Sequence, residues 1–219
     1  MERKLEVVPA ISDAIAIGVK NAASLVGAIL LWVVTIWIPY LNVGTTIAIN
    51  TLPGKLAKGE IINPLFIFDS VYRRKMGDYF LLQGLLTMMY IPAFFFLIIP
   101  GIVLSLMYSL SVYIMLDKDE TPMDALALSN KATYGFKWKI FGITLLFGIV
   151  IGLASWIIMA IVGLIDSSFI SFIFMIAVIA IASSCGMALN AVIYRNLFLA
   201  PLEAPAAPAT EPEAEPAAE

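Results

Sequence analysis

DKDETPMDALALSNKATYGFKWK, Asp117 to Lys139, decides the fold because it alone separates two long apolar blocks with charges and a readable helix start. Thr121-Pro122-Met123-Asp124 is a capping-box variant with Pro at the first helical position, where its missing N–H costs nothing. The helix it opens is expected to end near Tyr134-Gly135, and Lys137, Trp138 and Lys139 then have the character of membrane-interface anchors. Working outward, YFLLQGLLTMMYIPAFFFLII (79–99) is a full span interrupted at Pro92, and Pro100-Gly101 is expected to turn it into residues 102–116. On the other side, residues 140–165, a turn at Asp166-Ser167-Ser168 and residues 169–194 form a second long hairpin, closed by Arg195.

Composition agrees with that reading. The chain has 219 residues, 61% hydrophobic and 13% charged, with a mean hydropathy of +0.96. Soluble domains hold about 25% charged residues. The net charge of −3 hides an asymmetry, since residues 200–219 carry five Glu and no basic residue. Pro, Ala and Glu in alternation offer no apolar face, so this stretch reads as a disordered acidic tail beyond a membrane domain of residues 1–199. With no His and a single Cys, Cys185, neither an internal disulfide nor a His/Cys metal site can form, and no cofactor is expected. The first apolar block begins near Ala22, too late and too long for a cleavable signal, so the N-terminus is expected to be retained.

Residues 8–21 (VPAISDAIAIGVKN) suit an amphipathic helix at the membrane surface, with Asp13 and Lys20 on one stripe. Residues 22–53 carry no charge and are far longer than one crossing needs, so they are expected to fold back at Pro39, Asn42 and Gly44. The second arm of that hairpin is short and holds Asn50 and Pro53. Between residues 55 and 78 the charges return. There Asn63-Pro64 starts a second interfacial helix, with Asp69 and Arg73 as an i,i+4 pair and Lys75 close behind.

Six crossings place all 13 Lys and Arg on one side, leaving only IPYLNVG, PG and DSS on the other. The fold class is therefore an all-α polytopic membrane bundle, six transmembrane helices as three hairpins, each preceded by an interfacial amphipathic helix. Both termini are therefore expected to face the cytoplasm. DAIAIGVK (13–20) matches DALALSNK (124–131) at Asp, both Ala and Lys; Asp13, Asp69 and Asp124 are 56 and 55 residues apart, which suggests a threefold unit. Asp13, Lys20, Asp69, Arg73, Lys75, Asp124, Lys131 and Trp138 make up the expected interfacial stripe.

No ionisable residue falls within a span, and no hydrolase elbow, phosphate loop or dinucleotide fingerprint is present. Asn50, Gln83 and Asn190 are the candidate polar path through the bundle, although buried amides in membranes mostly bridge helices. Gly148-x-x-x-Gly152 and Ala182-x-x-x-Gly186 are small-residue faces suited to close helix packing, between helices or between copies.

Ile98-Ile99-Pro100-Gly101-Ile102, Tyr108-Ser109-Leu110, Ala125 to Ser129 and Gly135-Phe136-Lys137-Trp138-Lys139-Ile140-Phe141-Gly142 resemble a broad bacterial membrane family. It includes YciC-like proteins and the membrane domain ahead of some glycerophosphodiester phosphodiesterases. The likeness covers residues 58–145, and it implies the multi-pass helical fold and a bacterial cytoplasmic (inner) membrane as its setting; the phosphodiesterase catalytic domain has no counterpart here. Where members carry a basic residue after the Pro-Gly turn, this chain has Met107. The expected function is that of a non-enzymatic protein that organises the bilayer or scaffolds partners, binding lipids and a second copy or protein partner, not nucleic acid. The alternative is a permease or channel for a lipid-like or small uncharged substrate.

Overall fold

The structure is a computed structural model that describes residues 5–164 and 168–203, and among these it is helical with no strand. In chain order come α1 (Val7–Lys20), α2 (Ala22–Thr35), α3 (Pro39–Asn50), α4 (Leu52–Ala57), a 3-10 turn (Pro64–Phe68) and α5 (Val71–Arg74). Then follow α6 (Met76–Phe96), α7 (Ile98–Met107), α8 (Ser111–Lys118), α9 (Pro122–Thr133), α10 (Lys137–Val162) and α11 (Ser168–Tyr194). A π turn (Arg195–Leu199) and α12 (Ala200–Glu203) continue α11, so the helix runs past the expected boundary at residue 199. Residues 204–219, where the acidic tail was read, lie outside the described residues, as does the heart of the Asp166-Ser167-Ser168 turn.

Among the described residues, four helical stretches are long and apolar enough to cross a membrane: Met76–Phe96, Ile98–Lys118, Lys137–Val162 and Phe169–Leu202. A fifth exists only if α1 and α2, which meet at 70°, are counted as one span. In the uncharged block 22–53 the arms are short, 14 residues in α2 and 12 in α3. At 1.5 Å per residue these reach about 21 and 18 Å, against a hydrocarbon core of roughly 30 Å. The break falls at residues 36–38, with Pro39 at the start of α3; Asn42 and Gly44, read as breakers, lie inside the helix. The two arms are fastened by polar bonds, Thr35 to Thr45 at 2.7 Å and Trp32 Nε1 to Thr46 at 2.9 Å, the usual means of joining apolar helices.

Two expected features take a different form. The chain reverses at Leu97, an extended residue between α6 and α7, and not at Pro100-Gly101. Pro100 fits the first turn of α7, where no N–H is needed, and Gly101 is there because a Cβ would lie 2.5 Å from the Phe94 ring. The second interfacial helix is not one helix but the 3-10 turn followed by the single turn α5. Asn63 accepts from the Leu65 N–H, and Asp69 accepts from the Val71 N–H at 3.1 Å, so Asp69 caps a turn instead of pairing with Arg73. Arg73 lies over the Tyr40 ring at 5.8 Å and packs its stem on Gly44.

The break between α7 and α8 is where α9 docks. Breaking a helix in apolar surroundings strands backbone groups that water cannot reach. Ser129 Oγ donates to the Met107 carbonyl at 2.9 Å and accepts the Leu110 N–H at 3.2 Å, while Thr133 donates to the same carbonyl at 3.1 Å. Both side chains are fully buried. The Thr121 and Asp124 capping box that opens α9 forms as read, the Asp124 N–H reaching Thr121 at 3.3 Å.

Packing is concentrated at one end. The core joins α1, α8, α9, the starts of α6 and α10 and the C-terminal half of α11. Away from it the apolar side chains of α6, α7, α10 and the first half of α11 are mostly exposed, as surfaces that face lipid would be.

Candidate functional site: the polar end of the bundle

Asp117, in the last turn of α8, is the centre of this end. Its Oδ1 pairs with Lys58, just beyond α4, and its Oδ2 accepts from the Tyr194 hydroxyl at 2.9 Å. The Asp117 side chain is only 11% exposed, so the cation and the phenol stand in for lost water. Tyr194 is fully buried, stacked on Phe198 at 5.3 Å and met edge-on by Tyr113 at 6.2 Å. Two residues on, Asp119 ends α8 in a left-handed turn, φ 59°, a conformation Asp tolerates. Lys75 lies 2.8 Å from the Asp119 carboxylate and donates to the Leu116 carbonyl at 3.2 Å, which ties the start of α6 to the end of α8. The hydrogen bond from Lys75 and its positive charge hold the Asp119 carboxyl below its ordinary pKa. Arg195 in the π turn reaches Asp13 on α1 at 2.7 Å.

Two cavities open among these groups. One of about 170 Å³ lies between Lys55, Lys58, Glu60, Tyr113 and Asp117. The other, about 400 Å³, lies at the bend between α1 and α2 and is lined by Lys20, Lys58, Glu60, Ile61 and Arg195, among others. Lys58 and Glu60 belong to both. Chemically, such a seam offers cations and carboxylates at a partly dry surface, groups suited to holding charged ligands and neighbouring helices.

The expected interfacial stripe is spread over several roles. Asp13 is an ion-pair partner, Asp69 a turn cap and Asp124 a helix cap, so the three Asp of the suggested repeat do three different things. Lys20, Lys131 and Trp138 are exposed, Trp138 lying edge-on to Phe141 at 6.0 Å. Of the candidate polar path, Asn50 and Gln83 do meet: both donate to the Tyr79 hydroxyl, at 3.1 and 3.0 Å. Asn190 is not with them. It is exposed on α11 and bonds the Gly186 carbonyl of its own helix, so the three residues line no common path.

The small-residue faces are open. A Cβ added at Gly148, Gly152 or Gly186 would meet nothing within 4 Å. Close packing occurs instead where α1 crosses α11: a Cβ at Gly18 would lie 2.6 Å from the Cys185 Cα. Ala10, Ala14 and Gly18 form a buried stripe at every fourth residue, the spacing that brings small residues onto one helix face. That spacing is visible in the sequence and locates this contact. Lys58, Asp117 and Tyr194 carry no comparable local signal.

Among the described residues, no group of three or more His, Cys, Asp or Glu side chains is placed to hold a metal ion. No family model, no curated protein and no solved structure matches the chain.

Proposed function

We propose that this chain is a non-enzymatic, multi-pass protein of a bacterial cytoplasmic membrane that organises the bilayer by loading one leaflet. In this reading α6, the α7–α8 pair, α10 and α11 cross, both termini are cytoplasmic, and the α2–α3 hairpin lies shallowly in the cytoplasmic leaflet. The observation that carries it is where residues 13–58 are tied. Asp13 meets Arg195 in the π turn after α11, Gly18 meets Cys185 in α11, Gly44 meets Arg73, Asn50 meets Tyr79 at the start of α6, and Lys58 meets Asp117 at the end of α8. Arg73, Tyr79, Asp117 and Arg195 sit at the polar end, and Cys185 lies inside α11, ten residues before Arg195. The hairpin tip supports the same placement, because Tyr40 lies under the Arg73 guanidinium and Trp37 is 88% exposed, as aromatic residues at headgroup level are. A shallow apolar insertion expands one leaflet relative to the other, which favours curvature. The open face at Gly186 would then serve contact with a second copy, and the family resemblance would extend to fold without activity.

Two measurements test this. With Cys185 replaced by Ala, a membrane-impermeant maleimide added from outside should label Leu97→Cys, at the α6–α7 reversal, but not Trp37→Cys. Labelling of both from outside would restore six crossings and remove the shallow hairpin. In reconstitution, the wild-type chain should give smaller, more curved vesicles than protein-free lipid. Leu30→Glu with Val34→Glu, one turn apart on α2 and 55% and 70% exposed, should abolish the effect without disturbing the core. Wild-type vesicles indistinguishable from the control would end the reading, and saturable solute flux through them would favour a permease.

A further inference from the structure

The cavity at the α1–α2 bend has a ligand chemistry of its own. Its formal charges can be set out group by group. Lys58 is paired with Asp117, Lys55 with Glu60 and Arg195 with Asp13. Lys20, which lines the cavity, makes no ion pair among the described residues. Lys55, Asp117 and Asp13 lie outside the cavity lining, but with these partners counted four cations stand against three carboxylates, an excess of one positive charge, and that excess is at Lys20. Hydrogen-bond donors are in surplus as well. Arg195 spends one terminal nitrogen on Asp13 and Nε on Asn196, and Lys58 has three N–H donors for one carboxylate.

The walls are not uniformly polar. Ile17, Leu56 and Ala57 line the inner side, and Ile61, at the rim, is 98% exposed. An apolar residue so exposed beside a cationic cavity describes an amphiphilic ligand better than a soluble anion. The space, about 400 Å³, accommodates a phosphodiester headgroup.

We propose that this cavity binds the headgroup of an anionic glycerophospholipid, one carrying a single net negative charge, with its phosphodiester oxygens held by Lys20, Lys58 and Arg195. The inference rests on the reading that this end of the bundle lies at headgroup level. The acyl chains leave past Ile61 toward the apolar faces of α1 and α2. Such a lipid neutralises the one unbalanced cation and fills the gap beneath the 70° bend, so lipid and shallow hairpin are held together.

Native mass spectrometry of the full chain, released from detergent containing equimolar dioleoylphosphatidylglycerol and dioleoylphosphatidylcholine, tests it. The wild type should retain the glycerol lipid in preference to the choline lipid. Lys20→Gln should lower that retention about fivefold, the worth of one cation near a membrane surface, and Lys20→Arg should restore it. Lys118→Gln removes an exposed cation outside the cavity and should change nothing. Equal retention of the two lipids, or equal losses from Lys20→Gln and Lys118→Gln, would overturn the proposal in favour of diffuse surface charge. Displacement of the lipid by inorganic phosphate alone would overturn it in favour of a free-phosphate site. Vesicle curvature is read separately, so preferential lipid retention without remodelling would count against the proposed function and leave this site standing.

Discussion

Gly18→Leu should loosen the packed end of the molecule, whereas Gly148→Leu should leave it folded. The two glycines look alike in sequence, each within a helical stretch with a small residue four positions away. Their surroundings differ. At Gly18 a Cβ would lie 2.6 Å from the Cα, and 2.9 Å from the backbone nitrogen, of Cys185 on α11. Backbone in the middle of a long helix cannot step aside as a side chain could, so α1 must lift off, and Ala10, Ala14, Leu189 and Val192 lose their shared contact. Overpacking of this kind costs about 3 kcal/mol. At Gly148 a Cβ meets nothing within 4 Å, and a substitution there should stay within about 0.5 kcal/mol.

Cys185 supplies the readout. It is the chain's only cysteine and is buried, so a thiol-reactive dye reports opening of this very contact as the protein is heated in detergent. Gly18→Leu should lower the midpoint and expose the thiol in the folded state; Gly148→Leu should match the wild type. Equal midpoints for the two variants would mean that α1 does not seat on α11.

What the sequence made legible follows the range of the forces involved. The helix after Thr121 was readable because its start is set by neighbours three residues apart, and Pro122–Thr133 is close to the span expected. The long apolar stretches of α6, α10 and α11 were readable because composition alone defines them. Pro100-Gly101 misled because Pro and Gly signal both a turn and a helix start, and the choice was made by the Phe94 ring packing on Gly101. In residues 64–74 the Asn63 and Asp69 side chains each bind an N–H two residues on. Such local bonds compete with helix formation, and a single interfacial helix is therefore not formed. The Ala10, Ala14 and Gly18 spacing was a local signal for the α1–α11 contact, obscured by the charged stripe on the same helix. The polar seam was not legible, because Tyr194 is 77 residues from Asp117 and no local pattern joins them.

That seam leads to the second large effect. Lys58→Met should destabilise the protein by about 2 kcal/mol, although Lys58 itself is partly exposed. Stranding one member of a buried pair costs roughly 3–5 kcal/mol; here Lys58 is 37% exposed, and water screens part of the loss. What remains is Asp117, whose side chain is 11% exposed, holding a charge with only the Tyr194 hydroxyl for company. Tyr194→Phe should cost less, about 1 kcal/mol, because it removes one bond and leaves the ion pair. Asp117→Leu alone strands both partners, a cation that can turn to water and a buried hydroxyl that cannot. The informative variant removes all three, Lys58→Met with Asp117→Leu and Tyr194→Phe, since replacing a whole buried polar group by apolar side chains of similar size is often nearly neutral. It should recover most of the stability lost in Lys58→Met, measured as the thermal midpoint of the full chain in detergent with the Cys185 dye. If the triple variant instead shows the sum of the single losses, the three residues contribute independently, and the seam does not hold α4, α8 and α11 as one unit.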